Sequence, residues 1–377
     1  MAMTPRDRVL AAVKGDPVSP APSDVFENGI HPKLEKMLLS HYGLAKDDHE
    51  ELLRALGACL RWARPLYVGP KLEEDLSREP AYPHQKAIRN IWGTWDGWAT
   101  YYDGIDRPLR LAETVADVEA YRWPSADWFD YSRVGWVWNT SDAYVPMARW
   151  AAASADFARV AGGWNPVFCR IMDLYGMETG LMHLAARPDL VHATVDQIGQ
   201  FLEKFYLRLA SAGKGHYDFL AFGDDFASQR SLLLSLSHWR SYFLPVWKRL
   251  FAIAHEHGLK TVLHSCGSVR SVLADLIEAG LDVLQVVQVT SAGMEPAELK
   301  REFGRHLTFY GGMDTQHIMP SGRPSDVRRE TRRLIDILGK GGRYIFSTVH
   351  FLMDDVPLEN ALAMYEEAKS YRAQPVF

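Results

Sequence analysis

In LKTVLHSCG, residues 259–267, an apolar run ends in His264 and Cys266, separated by one residue. On an extended strand, residues two apart project to the same face, so both side chains point one way and Leu263 the other. Imidazole nitrogen and thiolate sulfur are preferred donors to zinc, and an open catalytic zinc site takes about three protein ligands. His264 and Cys266 would supply two, and the third would come from another strand. The alternative is an ordinary buried pair, since a buried cysteine also behaves as a small hydrophobe.

Further groups able to bind a metal or move a proton recur at the ends of neighbouring apolar runs. Asp224 and Asp225 close YDFLAFGDD, and adjacent carboxylates on a strand diverge, so one is expected to face the site while the other caps the following helix. His350 closes YIFSTVH as a third ligand, a proton donor or a hydrogen-bonded core histidine. Asp224, Asp225 and His350 are the catalytic candidates. Asn28 in SDVFENG, Gln288 after LDVLQVV, and Asp314 with Gln316 in GGMDTQ are the candidates for substrate binding.

The elements that must position these groups are clearest after residue 217. Five short apolar strands, 217–225, 259–267, 281–288, 307–314 and 344–350, alternate with amphipathic segments such as HWRSYFLPVWKRLFAIAHEHG and PSDVRRETRRLIDILGKGG. Short strands alternating with helices through Gly-containing loops imply parallel βαβ units. The fold class is α/β, a single (β/α)8 TIM barrel over 1–377 whose active site gathers at the carboxyl ends of the strands. Upstream, PSDVFENG reads as the first strand, HPKLEKMLLSHYG and HEELLRALGACLRWA as helices, and GWNPVFCRIMDLYG as a strand-and-loop element. Residues 65–160 form an aromatic-rich insertion or lid holding eight of the twelve tryptophans, Trp92 to Trp150. Most are expected to be packing residues, with one or two facing the site.

Composition excludes several classes. The 377 residues are 47% hydrophobic and 24% charged with a net charge of -5, and no Lys/Arg run offers counter-charge to nucleic acid. No segment approaches ~18 uninterrupted apolar residues and the first residues lack a signal-peptide core, so a cytoplasmic location without membrane partners is expected. Three scattered cysteines do not make a disulfide framework.

The segments AFGDDFASQRSLLLS, AHEHGLKTVLHSCGSVRSVLADLIEAGLDVLQVVQ, MEPAELKREFGRHLTFYGGMDTQ and VPLENALAMYEEA together resemble the uroporphyrinogen decarboxylase superfamily, in particular its corrinoid-dependent methyltransferase branch. The resemblance implies a (β/α)8 barrel and, at His264 and Cys266, a zinc site. True uroporphyrinogen decarboxylases carry arginines after the first strand to hold the substrate's carboxylates, whereas this chain reads DVFENGIHP. Thiol-methylating relatives add a second cysteine near the last strand, where this chain reads FSTVHFLMDD. The function implied is methyl transfer from a small methylated donor, foremost a methoxylated aromatic (O-demethylation), to a corrinoid carried by a partner protein. A strand-end metal or acid would activate the leaving oxygen. The alternatives are a cofactor-free decarboxylase or lyase acting on a small non-porphyrin substrate, and an inactive binding barrel. Related proteins often dimerise, so a homodimer is a further expectation.

Overall fold

The computed structural model describes residues 3–74, 88–95, 107–136 and 144–373. In chain order its strands are β1 (Leu60–Tyr67), β2 (Glu73–Glu74), β3 (Ile88–Arg89), β4 (Phe129–Trp136), β5 (Val145–Pro146), β6 (Ala158–Gly162), β7 (Phe219–Gly223), β8 (Lys260–His264), β9 (Val283–Gln285), β10 (Thr308–Met313) and β11 (Tyr344–Thr348). One sheet runs β11-β10-β9-β8-β7-β6-β1-β4-β5. Every pairing from β11 to β1 is parallel.

Residues 22–24 close this sheet into a barrel. Phe346 N–H donates to Pro22 O (2.8 Å), Asp24 N–H to Phe346 O (2.9 Å), and Cys59 N–H to Ser23 O (2.8 Å). Ser23 thereby bridges in parallel to both Ala58 and Phe346. This segment joins β1 and β6–β11 as the eighth parallel stave, which removes the open edges a sheet would otherwise expose. Inward-facing side chains such as Trp62, Val160, Phe219, Val262 and Tyr310 fill the interior. Val9 and Val13 of the helix Pro5–Lys14 belong to the same cluster and plug the amino-terminal end.

The five strands read after residue 217 are all present. Two upstream readings are corrected. Residues 59–63, read as the end of a helix, lie in and beside β1: the helix His49–Leu56 stops at Gly57, which adopts φ 83° and donates its N–H back to Leu53 and Arg54. In GWNPVFCRIMDLYG the regular element is the helix Phe168–Tyr175, and the strand, β6, precedes it.

β1 pairs with β6 through residues 60–63 and with antiparallel β4 through residues 63–67, so its outer end leaves the barrel and carries the insertion outward. The described part of the insertion packs on the long helix Pro188–Ala212: Trp92 meets Phe201 edge-on at 5.0 Å, and Phe129 meets Phe205 at 5.0 Å. Residues 75–87, 96–106 and 137–143 of the insertion, with Trp98 and Trp138, lie outside the described residues. Among the described residues no helix is long and apolar enough to cross a membrane.

Candidate metal centre

His264 ends β8 and faces inward like Val262 two residues earlier. Asp225 follows β7, the parallel neighbour of β8, and its Oδ1 accepts the Cys266 backbone N–H at 2.7 Å. That bond holds the chain just past the strand end, with Cys266 Sγ 3.6 Å from His264 Nε2 and Asp225 Oδ1 3.8 Å from the same nitrogen. The three ligand atoms all lie within 4.8 Å of one another. Gly267 makes the turn possible: it adopts φ 90°, and a Cβ there would sit 2.7 Å from the carbonyl oxygens of Ala227 and Ser228. Its N–H donates to Gln288 Oε1 at 2.7 Å.

The electrostatics fit a cation between these groups. Burial first, then Asp225 and Glu27, push the Cys266 thiol well above its ordinary range. Burial pushes His264 down, which leaves the neutral imidazole that metals bind. Among the described residues no Lys or Arg pairs with Asp225, Glu27 or Cys266. One nitrogen, one sulfur and one carboxylate oxygen form a donor set suited to zinc. The ion would supply the missing positive charge and release the thiol proton.

The walls are aromatic and apolar. Phe26 packs edge-on to His264 at 5.7 Å and stacks on His350 at 5.6 Å. Trp164 meets His264 edge-on at 5.7 Å and is 45% exposed. A Cβ at Gly223 would come within 2.9 Å of the Trp164 ring, so the absence of a side chain there seats the indole. Phe26, Val286, Val349 and Phe351 make a small cluster against which Cys266 packs. Cavities of about 270 and 380 Å³ lie elsewhere, beside Trp123 and Lys204 and beside Tyr67 and Arg122.

The structure brings Asp225, His264 and Cys266 together, with His350 one aromatic ring away. Burial, then the nearby His264, push His350 down to about 4. The remaining candidates are engaged with backbone or with the rim. Asp224 accepts the N–H groups of Val167, Phe168 and Cys169 at 3.1, 2.7 and 2.9 Å, capping the helix that precedes β7 and not the one that follows it. Asn28 accepts from Trp62 N (3.0 Å) and donates to Leu60 O (3.2 Å). Asp314 accepts from Gln316 N (2.8 Å), His317 Nδ1 (3.1 Å) and Ile318 N (3.3 Å). Gln316 is exposed, and its Oε1 accepts from Thr290 Oγ1 at 3.2 Å.

Three mouth residues did not emerge from the sequence: Trp164, Glu27 and Gln285. Glu27 and Asn28 both adopt left-handed backbone, φ 45° and 61°. This aims the Glu27 carboxyl inward, with Oε1 3.9 Å from His264 Nδ1, and burial pushes it up to about 8. Two consecutive non-glycine residues with positive φ are the one local signal, visible only in the backbone.

A profile of the family described as uroporphyrinogen decarboxylase (URO-D) matches residues 161–371, and the chain belongs to that family. Within it, the chain is similar to a methylated-thiol–coenzyme M methyltransferase of Methanosarcina mazei, 29% identical over 199 residues, covering 52% of this chain and 48% of the relative. It is also similar to the methylcobamide:CoM methyltransferase MtbA of the same organism, 25% identical over 186 residues, 49% of this chain and 50% of the relative. The chain thus spans about half the length of these curated relatives. A solved structure, a methyltransferase from Methanosarcina mazei, superposes with a TM-score of 0.58 over 97% of this chain and 98% of that chain at 18% identity, which shows the shared fold.

Proposed function

We propose that this protein is an enzyme that moves a methyl group from a small methylated donor, foremost a methoxylated aromatic, to the cobalt of a corrinoid carried by a separate protein. The observation that carries the reading is the convergence of Asp225, His264 and Cys266 within 4.8 Å at the carboxyl end of the barrel, in a chain similar to two methyltransferases. Zinc held by these residues supplies Lewis acidity toward the donor's oxygen. One thiolate in the set, in place of two, suits polarising an oxygen better than activating a second thiolate.

The chain's own residues do the positioning. Asp225 fixes the Cys266 backbone and offers a ligand oxygen from the same carboxylate. Trp164 and Phe26 flank His264 and present apolar surface to a flat ring. His350, neutral near pH 7, adds a further polar edge beside Phe26 but lacks the imidazolium proton that a general acid would give. A porphyrinogen polyacid fits less well, because Asp225 at the mouth opposes its carboxylates and DVFENGIHP offers no arginine to hold them.

Departure of a phenoxide is slow without help, and about 4 kcal/mol of stabilisation corresponds to about a thousandfold in rate. Cys266→Ser is therefore expected to lower turnover by about that factor while changing donor binding much less. The direct test mixes zinc-loaded protein, cob(I)alamin and a panel of methoxylated aromatics and follows methylcobalamin by absorbance. Formation that needs both protein and donor supports the reading. Loss of carbon dioxide from a carboxylated substrate with no methyl transfer from any donor would replace it with the decarboxylase.

A further inference from the structure

The barrel layer that holds His264 also holds polar side chains that the proposed reaction does not use. In the parallel ladders His264 is the register partner of Gln285, and Gln285 is the register partner of Tyr310, so three adjacent strands place these residues side by side. Tyr310 Oη donates to Asp24 Oδ2 in a short hydrogen bond. Asp24 is itself fixed, accepting Leu60 N–H at 3.3 Å and Trp62 Nε1–H at 3.4 Å.

Gln285 is only 1% exposed, and neither its amide atoms nor the buried His264 Nδ1 makes a well-formed hydrogen bond, although the Gln285 amide lies close enough to interact with both His264 and Tyr310. Unpaired buried polar atoms cost about 1–3 kcal/mol each and call for a physical explanation. These three belong to neighbours in one layer, and their donor and acceptor capacities match. Once Asp24 is ionised, above about pH 7, Tyr310 spends its only proton on it, so its oxygen is left to accept. The Gln285 amide NH2 is the donor that suits it, which turns Gln285 Oε1 toward His264. An acceptor beside Nδ1 requires the proton on Nδ1 and leaves the lone pair on Nε2, the nitrogen facing Cys266 and Asp225.

We infer that Gln285, anchored through Tyr310 to Asp24, is a positioning residue that holds His264 as the Nδ1–H tautomer and aims Nε2 at the metal centre. A metal-ligating histidine commonly donates its second N–H to such an outer partner, and loss of that partner weakens metal binding about 10- to 100-fold. Glu27 is the competing acceptor, but its Oε1 lies 3.9 Å from Nδ1, beyond hydrogen-bonding reach. The metal side of this inference rests on the zinc reading above; the tautomer does not.

The test is long-range 1H–15N NMR of the His264 ring in metal-free protein, together with zinc affinity by chelator competition, for the wild type, Gln285→Leu, Tyr310→Phe and Glu27→Gln. The wild type should carry its proton on Nδ1. Q285L should lose that single tautomer and bind zinc about 10- to 100-fold more weakly. Y310F, which keeps the amide but removes its anchor, should fall between the two, and E27Q should retain the Nδ1 proton. An unchanged tautomer in Q285L overturns the inference, as does loss of the Nδ1 proton in E27Q alone, which would assign the role to Glu27. Zinc-loaded wild type with the expected tautomer but no methyl transfer would count against the proposed reaction and leave the column standing.

Discussion

A buried thiol beside two carboxyl groups is a poor thiolate unless a cation joins it, and this imbalance gives Cys266 its meaning. A second imbalance lies deeper, at Asp24, which burial raises from 3.8 to about 7 against the hydrogen bonds of Tyr310, Leu60 and Trp62. Between about pH 4 and 7 the native state therefore holds a proton that the unfolded chain has released, so this residue's contribution is fully present below pH 4 and is lost as pH rises toward 7. Asp24→Asn removes the titration. Urea unfolding at stepped pH should show the stability of D24N relative to the wild type improving from pH 4 to 7, and a constant difference would contradict this account. At this scale the sequence made His264, Cys266 and Asp225 visible through residue type and two-residue spacing. It pointed to Gln288, which holds the Gly267 turn beside Cys266, and missed Gln285, which ends β9 and faces the barrel, because in VLQVVQ only the strand end separates the two positions.

At the scale of elements, the site depends on caps that hold strand ends in place. Asp224 ties the first turn of the helix Phe168–Tyr175 to the end of β7, and without it three buried N–H groups lose their acceptor. Asp224→Ala is expected to destabilise the fold by about 3 kcal/mol or more in urea unfolding. A loss below about 0.5 kcal/mol would show that water replaces the carboxylate. Asn28 joins the Glu27 turn to β1 in the same manner through Leu60 O and Trp62 N. The C-terminal strands and helices were legible because apolar runs, glycine stops and 3.6-residue periods agree there. The N-terminal staves were not: residues 22–24 close the barrel with single ladder contacts, and β1 continues directly from a helical pattern that only the left-handed Gly57 interrupts.

At the scale of the molecule, the barrel is closed by its first stave, plugged by its first helix and open at the end where β7, β8 and β11 deliver Asp225, His264 and His350. The described insertion packs outside this body on the helix Pro188–Ala212, while the tryptophan beside the metal ligands, Trp164, comes from the loop after β6. Composition could count the aromatics but not assign them to the outer layer or the mouth, because that depends on where β1 leaves the barrel. A metal that binds only the folded barrel stabilises all of it, by about 2.7 kcal/mol at a free concentration one hundred times Kd. Zinc should therefore raise the wild-type melting temperature and leave Cys266→Ser unchanged, whereas equal shifts in both would place the ion elsewhere.

The most direct measurement is zinc per chain by elemental analysis after reconstitution and removal of loosely bound metal, on protein purified without a metal-binding tag, for the wild type and Cys266→Ser. About one equivalent in the wild type and little in the variant is the predicted result. No zinc in the reconstituted wild type, or the same content in both, would contradict a metal centre on Asp225, His264 and Cys266.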